Sequence, residues 1–312
     1  MQLSIATYHY VRNTEDSAFP RINALDVNAF RDQVAYVKSR HTIVSSDDVI
    51  AAVTNPERPL PERPALLTFD DGYLDHFDNV LPILQKEKVS GSFFPSAGAI
   101  LERRILDVNK IHFVLAKTDD IHALVETLKG FINDFRLQYD LDLNETYWDT
   151  WAKPNKWDPA EVIFVKRMLQ TVLPPKVRAE ITGLLFQKFV SNDEADFADQ
   201  LYMSTQHLEK LLDAGMCIGN HGYEHDWLNN LNPQDQETDI DKALRFMQDL
   251  GLDTENWMMC YPYGGYNELL LETLRNKKCA VGLSVRAGIA DLKKDDPLIL
   301  PRIDANDVMV EF

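Results

Sequence analysis

The segment Pro64-Ala-Leu-Leu-Thr-Phe69 runs directly into Asp70-Asp71-Gly72-Tyr73. A short, unbroken apolar run bounded by turn residues reads as a strand buried on both faces, as in a parallel sheet covered by helices. Two adjacent carboxylates therefore leave a dry strand end together, and like charges that close need a cation beside them. The rest of the chain fits such a sheet, because short apolar runs alternate with amphipathic segments, the pattern of an α/β fold. Strands are predicted at 3–8, 42–44, 91–95, 216–219, 257–260 and 280–283, and helices at 27–39, 47–52, 80–86, 205–214, 235–250 and 267–277. Gly215 caps one of these helices, and a proline-rich loop at 55–64 precedes the central strand.

Between 101 and 201 the strand signal almost vanishes, which predicts a helical insertion dividing a domain made of 1–100 and 202–312. Asp158-Pro159-Ala160-Glu161 reads as a helix start with Asp158 as N-cap, and Val177, Ile181, Leu184, Leu185 and Phe189 form the apolar stripe of a partner helix. At 312 residues, the chain suits two small domains or one large barrel with an insertion. Trp148, Trp151 and Trp157 fall inside the insertion. They suit a sugar-stacking lid or a seam between hairpin and barrel, and packing energetics favour the seam.

The formal charge of −17 argues against a nucleic-acid partner. Three cysteines, Cys217, Cys260 and Cys279, form no CxxC pair, so neither a disulfide framework nor a cysteine-rich zinc site is expected. With no basic leader, apolar h-region or apolar stretch long enough to span a bilayer, the expectation is a cytoplasmic protein without a transmembrane segment.

In parallel α/β architectures catalytic groups gather at the carboxyl ends of strands. Besides Asp70-Asp71, two other predicted strand ends carry chemistry. His221 and His225 stand four apart in Gly-Asn-His-Gly-Tyr-Glu-His, and two histidines with a carboxylate suit zinc. Cys260-Tyr-Pro-Tyr-Gly-Gly265 shapes a loop able to aim backbone N–H groups at a ligand, as in an oxyanion site. Each alone has a plainer reading, as a turn or a solvated histidine pair; their conjunction points to one open metal site.

These residues resemble the polysaccharide deacetylases of carbohydrate esterase family 4, the NodB homology domain. The resemblance rests on Thr68-Phe-Asp-Asp71, on His221-x-x-x-His225 and on Pro262-Tyr-Gly264, and covers most of 1–87 and 204–302. It implies a distorted (β/α)7 barrel and one divalent ion, zinc first, with cobalt, nickel or manganese as alternatives. It further implies hydrolysis of an acetyl group from an N-acetylated sugar or glycan, in surface glycan or glycoconjugate metabolism. By position Asp70 is the general base; Asp71, His221 and His225 are the metal ligands; the Tyr263 backbone N–H is an oxyanion donor. Tyr261 and Pro262 are expected beside the substrate or just behind the ligands.

Three departures stand out. Gly222 replaces the usual serine or threonine, Cys260 replaces the usual arginine that orients the base, and no histidine follows His225 to supply the late general acid. Arg302 in Leu-Pro-Arg-Ile-Asp is the substitute expected for the arginine. His9, in an early Tyr-His like that of exopolysaccharide deacetylases, is the substitute acid. His76, His112 and His207 are expected on helices as surface or packing residues, and His41 and His122 have no convergent partner. The alternatives are hydrolysis of another C–N bond, such as a cyclic imide or ureide, and an inactive carbohydrate-binding protein. An oligomer formed through the insertion is compatible with either.

Overall fold

The computed structural model describes all residues except Asp16 and Pro56. The chain forms two compact units, one of residues 1–13, 23–104 and 198–312, the other of 14–22 and 105–197. The first unit contains the sheet: β1 (Gln2–Tyr8), β2 (Thr42–Val44), β3 (Pro64–Asp71), β4 (Ser92–Pro95), β5 (Cys217–Ile218), β6 (Trp257–Cys260), β7 (Cys279–Ala287), β8 (Ala290–Asp291) and β9 (Leu300–Asp304). The path β5-β4-β3-β1-β9-β7-β6 is parallel throughout; off it, β2 pairs β3 in parallel and β8 pairs β1 antiparallel.

Its two ends meet at one bridge. Asn220 N donates to Met258 O at 2.9 Å and Cys260 N to Asn220 O at 2.8 Å, joining the end of β5 to β6. The result is the distorted (β/α)7 barrel that the resemblance implies.

Side-chain alternation, with period 2 along a strand, sorts the core. Leu3, Ile5, Leu66, Phe94, Met258, Cys260, Val281, Leu283 and Leu300 fill the barrel interior. Residues one position along, including Ala6, Tyr8, Leu67, Phe69, Phe93 and Ile303, pack outward as a second cluster. Continuing the inner register upward brings Thr7, Thr68, Asp70 and Arg302 to the top of the interior, so the barrel is apolar below and polar at its mouth.

β9 is the element the sequence pattern conceals. Pro301 and Arg302 break the apolar run, yet both are buried, as are Leu300 and Ile303. The helix expected from Val80 begins earlier, with a π-helical turn at His76–Val80 that passes into an α-helix at Leu81–Glu87.

The second unit is helical, with helices at Asp107–Lys117, Ile121–Tyr139, Asn144–Trp151, Ala160–Arg167 and Pro175–Phe189. Its core includes Phe19 edge-on to Phe113 at 4.8 Å and Trp148 tilted against Phe164 at 5.0 Å. Asp158 does not cap the helix, because its carboxylate pairs with Lys166 at 2.7 Å and Pro159 takes the cap position. Trp157 is exposed, with the Lys156 ammonium 4.5 Å from its ring centre. Among the described residues, no helix is long and apolar enough to cross a membrane.

The seam at β5 tolerates no side chain on Gly219. A Cβ there would lie 2.3 Å from Phe94 Cε1 and 2.9 Å from Met258 O. Gly219→Ala is expected to destabilise the protein by about 1–3 kcal/mol, the usual cost of overpacking a filled core. Urea unfolding of the two proteins measures it, and an unchanged midpoint would show that the seam yields.

Candidate active site

Asp70 and Asp71 end β3 side by side but face different partners. Asp70 points into the barrel mouth. Arg302 Nη1 lies 3.0 Å from its Oδ1 and 2.8 Å from its Oδ2, both side chains being buried, and the Thr7 hydroxyl donates to Oδ2 at 3.3 Å. Arg302 is fixed in turn by Nε donating to Ser284 O at 3.1 Å and Nη1 to Thr68 Oγ1 at 3.2 Å. Burial pushes the Asp70 carboxyl upward, but the charges of Arg302, His221 and His9 prevail and hold it below the usual carboxylate range.

Asp71 leaves the strand in the left-handed region at φ 70°, followed by Gly72 at φ 76°. This turn aims its Oδ1 at His221 Nε2, 3.3 Å away, and His225 Nε2, 3.1 Å away. Its Oδ2 accepts the Tyr73 hydroxyl at 2.5 Å. Burial again opposes ionisation, but the hydrogen bonds to His221 and His225 hold Asp71 well below the ordinary range.

The histidine loop follows the bridge residue Asn220, whose side chain accepts from Gly222 N at 2.8 Å. Asp239, on the helix Pro233–Asp249, accepts from Tyr223 N at 2.9 Å and Glu224 N at 2.8 Å. Gly98 N and the Ser96 hydroxyl both donate to Tyr223 O at 3.0 Å. Here the replacement of serine or threonine by Gly222 has a physical reason. Its φ is +71°, and a Cβ would meet Asp239 Oδ1 at 2.8 Å and Pro262 Cγ at 3.7 Å.

Asp71, His221 and His225 are all buried, and their donor atoms lie within 4.8 Å of one another. His221 Nδ1–H donates to Cys260 O at 2.7 Å, which presents Nε2 as the ligating nitrogen. Two imidazoles and one oriented carboxylate fit a zinc-type ion with a face left open. Asp70, His221 and Cys260 also cluster closely. In that group, however, Asp70 is already held by Arg302 and the Thr7 hydroxyl, and burial pushes the Cys260 thiol up despite Arg302, so the group around Asp71 is the better-formed ligand set.

Tyr263, in the left-handed region at φ 55°, packs edge-on to His225 at 4.8 Å and stacks on Trp227 at 4.7 Å. His9 lies just beyond β1 with its side chain 51% exposed and Nε2 3.9 Å from Asp70 Oδ2. Asp70, Asp71, His221, His225, Arg302, His9 and Tyr263 therefore share one mouth. Pro262 is buried beside Gly222. Tyr261 faces elsewhere: strand alternation that turns Cys260 inward turns Tyr261 outward, and its hydroxyl donates to Leu298 O at 2.7 Å in the outer core.

His76, expected as a surface or packing residue, is buried with Nε2–H donating to His9 O at 2.8 Å. The signal for it was its position five residues after Asp71 on the turn that leaves the catalytic strand. Neither His41 nor His122 reaches the mouth cluster.

The barrel and the cluster of carboxylates and histidines at its mouth can be set beside known proteins. A model of the polysaccharide deacetylase family matches residues 57–123 and 180–281, more than half of the chain, so the chain belongs to that family. A stretch of 74 residues, 23% of the chain, is 36% identical to the poly-beta-1,6-N-acetyl-D-glucosamine N-deacetylase of Escherichia coli (strain K12), of which it spans only 11%. Among solved structures, Streptococcus pyogenes deacetylase PplD in complex with acetate superposes with a TM-score of 0.61 at 15% identity, over 97% of this chain and 92% of that one. IcaB from Ammonifex degensii does so with a TM-score of 0.55 at 16% identity, over 97% and 91%. At such identities these two establish the fold alone.

Two expectations follow. Asp239→Asn loses one of the two acceptors that tie down the loop between His221 and His225, and should weaken zinc binding about 10- to 100-fold. Competition with a chromophoric chelator measures this, and unchanged affinity would detach Asp239 from the site. Burial also pushes His76 down to about 4. The unfolded chain takes up a proton there near 6.5, so the folded state is fully stable above that pH and loses about 2 kcal/mol by pH 5. His76→Gln should lack this share of the loss between pH 7 and pH 5 in urea unfolding, whereas identical pH slopes would contradict it.

Proposed function

We propose that the protein hydrolyses the acetamido group of an N-acetylated sugar or glycan, releasing acetate and a free amine. The observation that carries this reading is the separation of two neighbouring carboxylates. Asp70 is held by an arginine and a threonine hydroxyl, and Asp71 by two imidazoles and a tyrosine hydroxyl. Environments that divide paired acids in this way assign them different tasks.

Asp71 Oδ1, His221 Nε2 and His225 Nε2 would hold a divalent ion, zinc first. Such an ion supplies Lewis acidity toward the acetyl carbonyl and the attacking water. Asp70, kept ionised beside Arg302, takes the proton of that water. Arg302 stands where the missing arginine would act, reached from β9 instead of from the Cys260 position, and it orients Asp70 through both carboxylate oxygens. The Tyr263 backbone N–H donates to the acetyl oxygen as charge grows on it. His9, half in solvent and 3.9 Å from Asp70, donates its proton to the departing nitrogen. An N-acetylated hexosamine in a glycan is the favoured substrate class, supported by the name of the Escherichia coli relative.

Asp70→Asn should retain bound zinc while acetate release falls by about 100-fold or more, the loss expected for a general base. Metal analysis beside an enzymatic acetate assay tests this. Undiminished release would remove Asp70 from the mechanism, and bound metal with no acetate from any acetamido sugar would favour another C–N bond as the target.

A further inference from the structure

The chain segment that leaves the catalytic strand also grips the segment that carries His9. Past Asp71 and Gly72, the π-helical turn and its cap residue Asp75 present three side chains to residues 9–12. His76 Nε2–H donates to His9 O at 2.8 Å, and Asn79 Nδ2 donates to Val11 O at 2.8 Å. Asp75 Oδ2 accepts from Val11 N at 3.2 Å and from Arg12 Nε at 2.7 Å. Between them the Tyr10 ring stacks on Tyr73 at 4.1 Å, and Tyr73 is the residue that binds Asp71 Oδ2.

The imidazole of His76 is an expensive way to fill its pocket. The Phe69, Tyr73 and Phe93 rings surround it at 5.5–5.8 Å, and its Nδ1 is buried with no hydrogen-bond partner. An orphaned buried nitrogen carries a desolvation cost that a phenylalanine or leucine at this position would not incur. The single bond to the His9 carbonyl is what the imidazole provides in return. A π-helical turn within a helix is also a frequent mark of a functional position. This one sets His76 five residues beyond Asp71 and beneath the His9 backbone.

We propose that His76 is a positioning residue, which with Asp75 and Asn79 fixes the backbone of residues 9–12 so that the His9 imidazole stands over the mouth at the height of Asp70. The inference rests on the deacetylase reading and on His9 as the group that protonates the leaving nitrogen. The base on β3 and the acid after β1 are then set by one continuous segment, Asp70–Asn79. His76 touches neither substrate nor ion, and acts only through His9.

The test uses two substrates that differ in their need for an acid: a β-1,6-linked N-acetylglucosamine oligomer, whose amine must be protonated to leave, and 4-nitrophenyl acetate, whose leaving group needs no proton. His76→Phe should lower kcat on the oligomer about 10- to 100-fold, a share of what a general acid contributes, with KM nearly unchanged. Hydrolysis of the aryl acetate and zinc content should change by less than about twofold on the same argument. His76→Gln, which keeps an N–H donor, should recover most of the loss. In a His9→Ala background, His76→Phe should have almost no further effect on the oligomer, because the two residues act as a unit. Equal losses on both substrates, an undiminished effect in the His9→Ala background, or full activity of His76→Phe on the oligomer would each overturn the inference while leaving the deacetylase reading intact. A zinc-loaded wild type that releases no acetate from the oligomer or from any other acetamido sugar would overturn that reading, and the inference with it.

Discussion

A buried carboxylate with a guanidinium on its oxygens is the contact around which the mouth of this barrel is arranged. Asp70 and Arg302 come from β3 and β9, on either side of β1, and meet at the top of the interior, where the apolar layers of the barrel end. Removing one partner from such a pair strands a charge and typically costs about 3–5 kcal/mol, so the two strands and their register are held to one arrangement. Thr7 and Thr68 extend the polar layer across β1 and β3. With Arg302 neutralising Asp70, the adjacent Asp71 is free to turn out of the strand toward His221 and His225. The two carboxylates need separate cations, and the fold provides separate places for them.

Backbone strain falls in the same place. Asp71, His225 and Tyr263 all have positive φ, as do Gly72, Gly222 and Gly264 in the same three loops. Non-glycine residues held in that region cost energy and persist only where surrounding contacts enforce them. At the histidine loop the enforcement is visible in Asp239, Ser96 and Gly98, which bind the backbone of residues 223 and 224 from two other elements. Sharp turns at three strand ends bring donor atoms from distant parts of the sequence to one point.

Much of this was legible in the sequence because it depends on short-range patterns. The unbroken Pro64–Phe69 run announced a buried strand, its abrupt end in two aspartates announced a polar strand end, and the histidine pair announced two imidazoles that meet Asp71. The less legible parts depend on which way a strand faces and on what burial conceals. Tyr261 sits in a motif beside the site, yet strand alternation sends its side chain into the outer core. β9 contains a proline and an arginine, so it reads as a loop until the ion pair with Asp70 shows why a charged side chain is buried there. His76 looks like an ordinary helical histidine. Only three-dimensional contact reveals the His9 carbonyl above it, since the two are 67 residues apart.

The central claim is that Asp71, His221 and His225 form a metal site at the mouth while Asp70 is reserved for proton transfer. Anomalous X-ray diffraction at the zinc absorption edge, from crystals of the zinc-loaded protein, tests it most directly. The account predicts one strong peak among Asp71 Oδ1, His221 Nε2 and His225 Nε2, with Asp70 still on Arg302. A peak bounded instead by Cys260 and Asp70, or no peak at the mouth with zinc in excess, would contradict it.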